Sequence, residues 1–218
     1  GINYQSISQL ETIFDELMVK NKLKNQDAGI YLQITRGVNK RVHYFPEDIS
    51  PTVYAFAFEF PSNTEKIEKG IKVITQQDIR WLRCDIKSVS LLPNTMLFNN
   101  AVIKGAGESI LIRNGQVTEA THSSVFGVKN GVVITHPLNN LILPGITRKV
   151  VMEICKDKNI AFEEKAISEK ELFELDEIFI TGTGSEITPV IQVNDYAVNN
   201  KNPGKITRLI QKKFFEMV

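Results

Sequence analysis

Ser109-Ile110-Leu111-Ile112-Arg113-Asn114-Gly115-Gln116-Val117-Thr118 holds an apolar run, an Asn-Gly pair and a second short run. A two-residue type I′ turn needs positive φ at both central positions, which Asn-Gly meets at little cost, so the stretch predicts a β-hairpin. The pattern recurs at once: Val125–Lys129 and Val132–His136 flank Asn130-Gly131. Outward from these hairpins, Ile71–Thr75 reads as a short strand and 91–104 as a helix stopped by Gly105. Thr147–Lys158 reads as a helix that begins just after Gly145. Ser168 and Glu171 have capping-box spacing and open a short helix. Glu177–Ile180 and Val190–Val193 read as strands. Lys205–Val218 reads as an amphipathic helix with Ile206, Leu209, Ile210 and Phe214 on one side. Hairpins outnumber βαβ crossovers, which predicts α+β architecture rich in antiparallel sheet.

Toward the N-terminus the pattern differs. Leu10, Ile13, Phe14, Leu17 and Met18 recur at helical spacing within 6–23, with Ser8 and Glu11 as a candidate capping box. Strands are predicted at Ile30–Thr35 and Val53–Phe60. Pro61-Ser62-Asn63-Thr64-Glu65 is polar and turn-like, so 61–66 is the expected linker between a small domain (1–60) and a larger one (67–218).

Composition excludes several classes. The 218 residues are 42% hydrophobic and 23% charged, a globular balance. Net charge is +1, so nothing advertises a nucleic-acid or anionic-membrane partner. No apolar run approaches the roughly 18 residues of a membrane helix, and no signal peptide is visible. Cys84 and Cys155 lack CxxC spacing, which fits reduced thiols in a cytoplasmic protein. His43, His122 and His136 form no metal-ligand motif, and no metal is expected.

Five segments can carry chemistry. Leu143-Pro144-Gly145-Ile146-Thr147-Arg148 puts a glycine before a helix start. There the N–H groups of Ile146 and Thr147 and the Thr147 hydroxyl can hold a phosphate; an ordinary capped helix start reads the same. Ile180-Thr181-Gly182-Thr183-Gly184-Ser185-Glu186 runs a strand into small, hydroxylic residues, suited to an anion or simply to a mobile strand end. Lys87 sits among apolar and small residues, where partial burial would lower its pKa and suit Schiff-base chemistry; the plain alternative is a surface lysine paired with Asp85. Glu119 closes the first hairpin between an apolar strand and small polar residues, or is a solvated acid. Arg36 to Pro46 is dense in cations and aromatics, and Arg41 with His43 can clasp a carboxylate or lie free in solvent.

Taken in order, these segments resemble the fold-type IV pyridoxal-phosphate enzymes, most closely their D-amino-acid aminotransferase branch. The resemblance runs from about residue 9 to the C-terminus. Its most specific stretch is Asp78-Ile79-Arg80-Trp81-Leu82-Arg83-Cys84-Asp85-Ile86-Lys87-Ser88, supported by Ile34-Thr35-Arg36-Gly37, Val117-Thr118-Glu119, Gly145-Ile146-Thr147-Arg148 and Ser185-Glu186-Ile187-Thr188-Pro189-Val190. The resemblance implies a small N-terminal α/β domain, here incomplete, and a larger domain of antiparallel-rich sheets with flanking helices. It implies pyridoxal 5′-phosphate as cofactor and ping-pong transamination between D-amino acids such as D-alanine and 2-oxo acids such as 2-oxoglutarate. Lys87 is then the Schiff-base lysine and Glu119 the acid facing the ring nitrogen. Leu143 packs on the ring, and Ile146, Thr147 and Thr183 hold the phosphate. Arg41 and His43 bind the substrate α-carboxylate from the partner subunit of a homodimer, with Gly182 and Gly184 at the substrate side. A branched-chain aminotransferase, an aminodeoxychorismate lyase, or a catalytically weak homologue that binds the cofactor are the rival readings.

The sequence departs from the family in places. The preceding segment, which supplies a phosphate arginine and a substrate-side tyrosine, has no counterpart here, and such a segment is expected ahead of Gly1. After Glu119 the family usually carries a serine run ending in Asn; here the run is Ala120-Thr121-His122-Ser123-Ser124. The loop at Gly182 and Gly184 is also poorer in hydroxyls. Both changes bear on substrate range more than on the reaction.

Overall fold

A computed structural model describes every residue except Gly1, Asn3, Gln5 and Val218. The chain forms two compact units, Gly1–Ser62 and Asn63–Val218.

In the first unit a 3₁₀ turn, Ile7–Gln9, leads into helix α1 (Leu10–Lys20). The Ser8–Glu11 capping box does not form. Ser8 lies inside the 3₁₀ turn, and the residue before α1, Gln9, already has helical φ and ψ. A capping serine needs extended backbone at the helix entrance, and the chain enters this helix already turning. Strands β1 (Ala28–Thr35) and β2 (Thr52–Glu59) then pair antiparallel from Ala28↔Glu59 to Thr35↔Thr52. Tyr31 stacks on Phe56 across the ladder, ring centroids 5.3 Å apart. Gly37 opens the long connection at φ +120, where a Cβ would lie 2.2 Å from the Ser50 carbonyl oxygen. Only glycine fits there.

The second unit begins with a helix the sequence did not announce. α2 (Thr64–Lys69) starts within the polar stretch read as linker, and Lys69 pairs with Glu65 one turn away. Then come β3 (Ile71–Gln77), α3 (Leu92–Ile103), β4 (Glu108–Arg113), β5 (Gln116–Ala120), β6 (Ser124–Lys129) and β7 (Val132–Thr135). They are followed by α4 (Ile146–Asp157), β8 (Phe162–Glu164), α5 (Glu169–Leu172), β9 (Glu177–Gly182), β10 (Glu186–Val193), β11 (Tyr196–Ala197) and α6 (Lys205–Phe215). Both Asn-Gly turns take the expected form: Asn114 and Gly115 have φ 52 and 74, Asn130 and Gly131 φ 51 and 81. The Ser168 capping box is complete, with the Ser168 hydroxyl accepting from Glu171 N and the Glu171 carboxylate from Ser168 N.

All nine strands of this unit join one sheet, ordered β5-β4-β3-β10-β9-β6-β7-β8, with β11 paired to β10. β3 runs parallel to both β4 and β10, and β7 parallel to β8; the other pairings are antiparallel. The α+β expectation is met in that mixture.

The sheet is buried on both faces, and alternation sorts its residues between two cores. Val125, Ile178 and Ile180 go to one cluster; Phe126, Phe179 and Ile187 go to the other with Val151, Ile154 and Cys155 of α4 and Ile210 of α6. Phe126 and Phe179 are register partners, stacked at 4.9 Å and fully buried. Burial pushes the Cys155 thiol up to about 11. Cys84 and Cys155 are both free and buried.

Glu177, at the start of β9, anchors α6. Its carboxylate accepts the N–H groups of Ile206 (3.0 Å) and Thr207 (2.8 Å) and the Thr207 hydroxyl (2.7 Å), filling donors that a helix start leaves open. A Cβ on Gly204 would fall 1.8 Å from Glu177 Cδ. Gly204→Ala must therefore displace a carboxylate pinned by three hydrogen bonds, and we expect a loss of about 1–3 kcal/mol. Urea unfolding checks it: the midpoint should fall with an unchanged slope.

Candidate active site

The loop after β3 is built on a buried charge network. Asp78 has a fully buried side chain and accepts from Arg80 N (3.1 Å), Nε (2.9 Å) and Nη2 (2.9 Å), and from the Thr118 hydroxyl (3.0 Å). Arg113 Nη2 lies 3.0 Å from Asp78 Oδ1 and donates to the Arg80 carbonyl at 2.8 Å. Arg80 Nη1 reaches on to Glu119 Oε1, and Glu119 Oε2 accepts the Leu143 N–H at 3.0 Å. Three segments distant in sequence are thereby stitched together: the loop after β3, the end of β5 and the stretch before α4. Further bonds fasten the same seam. Cys84 N donates to the Asn140 carbonyl (2.9 Å), Asn140 Nδ2 to the Leu82 carbonyl (2.9 Å), and Arg80 Nη2 to the Leu141 carbonyl (3.1 Å).

The charges settle accordingly. Burial works to raise the Asp78 carboxyl, but hydrogen bonds and charge from Arg80, with Arg113 added, outweigh it and hold it down at about 2. Burial alone would lower Arg80; Asp78 and Glu119 overcome it and keep the guanidinium firmly charged. For Glu119 the balance falls the other way. Burial raises its carboxyl, and the Arg80 charge and hydrogen bond only partly offset this.

These segments wall a cavity of about 510 Å³, within the range of small-molecule sites. Of the residues singled out by sequence, Lys87, Glu119, Leu143, Ile146, Thr147, Gly182 and Thr183 all line it. Lys87 is exposed, not partly buried as expected. Nor does it pair with Asp85, whose carboxylate is held by Arg83 at 2.9 Å. Among the described residues no hydrogen bond or ion pair engages the Lys87 amine. Ile146 turns a 77% exposed side chain outward, so what it can offer a ligand is its backbone N–H. Gly184 does not line the cavity; its carbonyl accepts from Asn63 Nδ2 at 2.6 Å. Arg41 and His43 are exposed on the β1–β2 connection of the first unit, where Arg36 lies over the Phe45 ring at 3.9 Å.

Sequence reasoning did not single out Arg80 and Asp78 as site-building residues, although both lie in the stretch it quoted. Their signal was an acid and a base two apart directly after an apolar strand. It also passed over Thr181, a cavity-lining residue whose hydroxyl is buried and has no partner.

The amino-transferase class IV family matches residues 3–193. D-alanine aminotransferase of Bacillus licheniformis is 39% identical over 217 residues, 95% of this chain and 77% of that protein. D-alanine aminotransferase of Staphylococcus haemolyticus is 40% identical over 210 residues, 96% and 74%. Among solved structures, a branched-chain amino acid aminotransferase of Escherichia coli superposes with a TM-score of 0.87 at 29% identity, covering 99% of this chain and 73% of that one. The fold is thus that of a fold-type IV pyridoxal-phosphate enzyme. The chain belongs to the class IV aminotransferases, and its cofactor is pyridoxal phosphate.

The cavity fits that cofactor. The start of α4 opens onto it with no side chain capping the helix, as an incoming phosphate requires. A Cβ on Gly145 would lie 3.1 Å from Ser124 Oγ, crowding this same corner. The unpartnered Thr181 hydroxyl adds a buried polar group to the wall. The free Lys87 amine completes the set a phosphate-bearing aldehyde needs.

The network also sets an acid limit. A depressed carboxyl contributes stability that is complete above its unfolded value, near 3.8, and is lost as pH falls through its folded value, about 2. Asp78→Asn breaks a buried ion pair, so we expect a loss of roughly 3–5 kcal/mol at neutral pH. The gap to the parent protein should narrow as pH falls from about 4 toward 2, which urea titrations across that window will show.

Proposed function

We propose that this enzyme moves the amino group of D-amino acids, D-alanine among them, to 2-oxo acids such as 2-oxoglutarate in two ping-pong half-reactions. The carrying observation is the unpaired Lys87 amine on the wall that also bears Glu119 and the open end of α4. The identities of 39–40% to D-alanine aminotransferases, against 29% to the branched-chain neighbour, support the D-amino-acid branch.

When bound, pyridoxal phosphate supplies an aldehyde that takes up amines and a ring that accepts electrons. Lys87, whose amine is free on the cavity wall, would hold that aldehyde. The same amine would serve as the base that takes up and gives back the substrate Cα proton. Glu119, turned by Arg80 and the Leu143 N–H, faces the ring nitrogen and keeps it protonated. The N–H groups of Ile146 and Thr147, with the Thr147 and Thr183 hydroxyls, hold the phosphate. Leu143 packs on the ring, and Gly182 borders the substrate side of the cavity.

Arg41 and His43 bind the substrate α-carboxylate and come from a second copy of the chain. The exposed apolar side chains of Leu82, Val89 and Leu92, which do not line the cavity, accord with a homodimer. Free cysteines, and the absence among the described residues of any helix long and apolar enough to cross a membrane, accord with a cytoplasmic enzyme.

Half-reactions of the purified protein with D-alanine, L-alanine, D-glutamate and L-leucine, followed by cofactor absorbance, test this reading. In the parent, borohydride should fix the cofactor covalently on Lys87. Lys87→Ala should abolish amino transfer while the fold persists, because the side chain is exposed; turnover near the parent rate overturns the assignment.

Arg41→Ala should raise KM for D-alanine steeply, since losing a charged partner of a bound carboxylate costs roughly 2–5 kcal/mol, tens to thousands of fold. Alanine formed from pyruvate should be the D form by chiral chromatography. A predominantly L product would make this a branched-chain type enzyme and leave Arg41 and His43 solvated.

A further inference from the structure

Glu108 begins β4 with its side chain fully buried. A carboxylate removed from water needs hydrogen bonds and an opposite charge. Oε1 accepts the Thr121 hydroxyl and the N–H groups of Ser109 (2.7 Å) and Thr121 (3.3 Å). Among the described residues neither lysine nor arginine reaches this acid. Its Oε2 makes no hydrogen bond and lies 2.9 Å from His122 Nδ1, within ion-pair distance.

The local bonds settle how the imidazole is held. Thr121 Oγ1 gives its proton to Glu108, so toward His122 Nδ1, 3.0 Å away, it can only accept. Nδ1 therefore carries a hydrogen. Phe98 braces the ring edge-on, centroids 4.9 Å apart, and Asn94 Nδ2 holds the Thr121 carbonyl at 2.6 Å. With Nδ1 turned inward, the remainder of a 55% exposed side chain, Nε2 included, is left on the cavity wall.

The other charged groups on that wall are committed. Arg80 is held by Asp78 and Glu119, Arg148 by Glu164 and the His136 carbonyl, and Asp85 by Arg83. Lys87 is reserved for the cofactor on the reading above. His122 is left with a free ring nitrogen and a buried carboxylate behind it.

We propose that His122, whose Nδ1 lies against the buried Glu108 carboxyl, binds the distal carboxylate of dicarboxylic substrates and biases the enzyme toward acidic amino acids and their 2-oxo acids. The inference rests on the aminotransferase reading of this cavity. A hydroxyl at residue 122 would serve charged and neutral substrates alike, whereas an imidazole backed by a buried carboxyl is repaid best by an anionic partner.

The test uses the holoenzyme, His122→Gln and His122→Lys, with two readouts. One is the ratio of kcat/KM for D-glutamate to that for D-alanine. The other is binding of glutarate, an unreactive diacid, against butyrate by calorimetry. His122→Gln should lower the ratio about tenfold or more, chiefly through the KM for D-glutamate, and weaken glutarate by a similar factor relative to butyrate. His122→Lys, which places a cation at this position, should restore part of both. Glu108→Gln should act in the same direction, but its buried position can cost folding, so the exposed His122 variants carry the decision. A ratio and a glutarate preference both within twofold of the parent would overturn the proposal. If the parent transfers no amino group from any D-amino acid, the functional reading fails. The glutarate measurement then still decides whether His122 binds a second carboxylate.

Discussion

The bidentate grip of Arg80 on Asp78, extended to Glu119, is the interaction on which the site depends. Each of these groups would be costly to bury alone. Together, with Arg113, Thr118 and the Leu143 N–H completing the hydrogen bonds, they form a polar knot beside the apolar sheet. Because every partner is matched to a fixed geometry, the knot dictates where three chain segments meet. The β3 loop brings Lys87, β5 brings Glu119, and the stretch before α4 brings the open helix end. None of these positions follows from hydrophobic burial, which is indifferent to the direction a loop takes.

The sheet supplies the platform. β3 lies at its centre, parallel to β4 on one side and β10 on the other, while the neighbouring ladders are mainly antiparallel. The chain thus leaves the C-terminal end of β3 in mid-sheet, where Asp78 begins the knot. The β9–β10 turn is tied to the β5–β6 connection by the Ser123–Ser185 hydroxyl contact at 2.8 Å. Gly182 sits so close beneath that connection that a Cβ there would lie 3.3 Å from the His122 carbonyl. Thr181, at the end of β9, and Thr183, in the turn, line the cavity there.

Much of this was legible in the sequence where a local rule acts alone. Both Asn-Gly hairpins and the Ser168 box are decided within a few residues, and they formed as read. Ser8 and Glu11 had the same spacing as Ser168 and Glu171 but made no box, because spacing does not specify the extended backbone a cap needs. α2 was hidden in a polar stretch, since a six-residue helix with one buried side chain, Ile67, has too few turns to show a period. β8 is three residues long and owes its place to β7. For the site, resemblance singled out Lys87 and Glu119, but the ion pairs joining segments 40 residues apart leave no periodic trace. The free state of Lys87 was equally hidden: Asp85 was the natural partner by sequence distance, yet Arg83 takes it with two parallel bonds that an ammonium cannot match.

That competition between arginine and lysine explains why this amine is available at all. Around the cavity the carboxylates Asp78, Glu119 and Asp85 are each claimed by a guanidinium, as is Glu164 by Arg148. A planar fork satisfies two oxygens at once and stays charged when buried, so arginine wins acids that lysine could also reach. The arrangement commits these acids to guanidiniums and leaves the Lys87 amine outside the ion pairs. The one imidazole facing a buried carboxylate, His122, is the exception in the pattern. It is also where the sequence departs from the family's serine run. The cavity wall is therefore divided between acids bound to arginines and one acid, Glu108, that faces an imidazole instead.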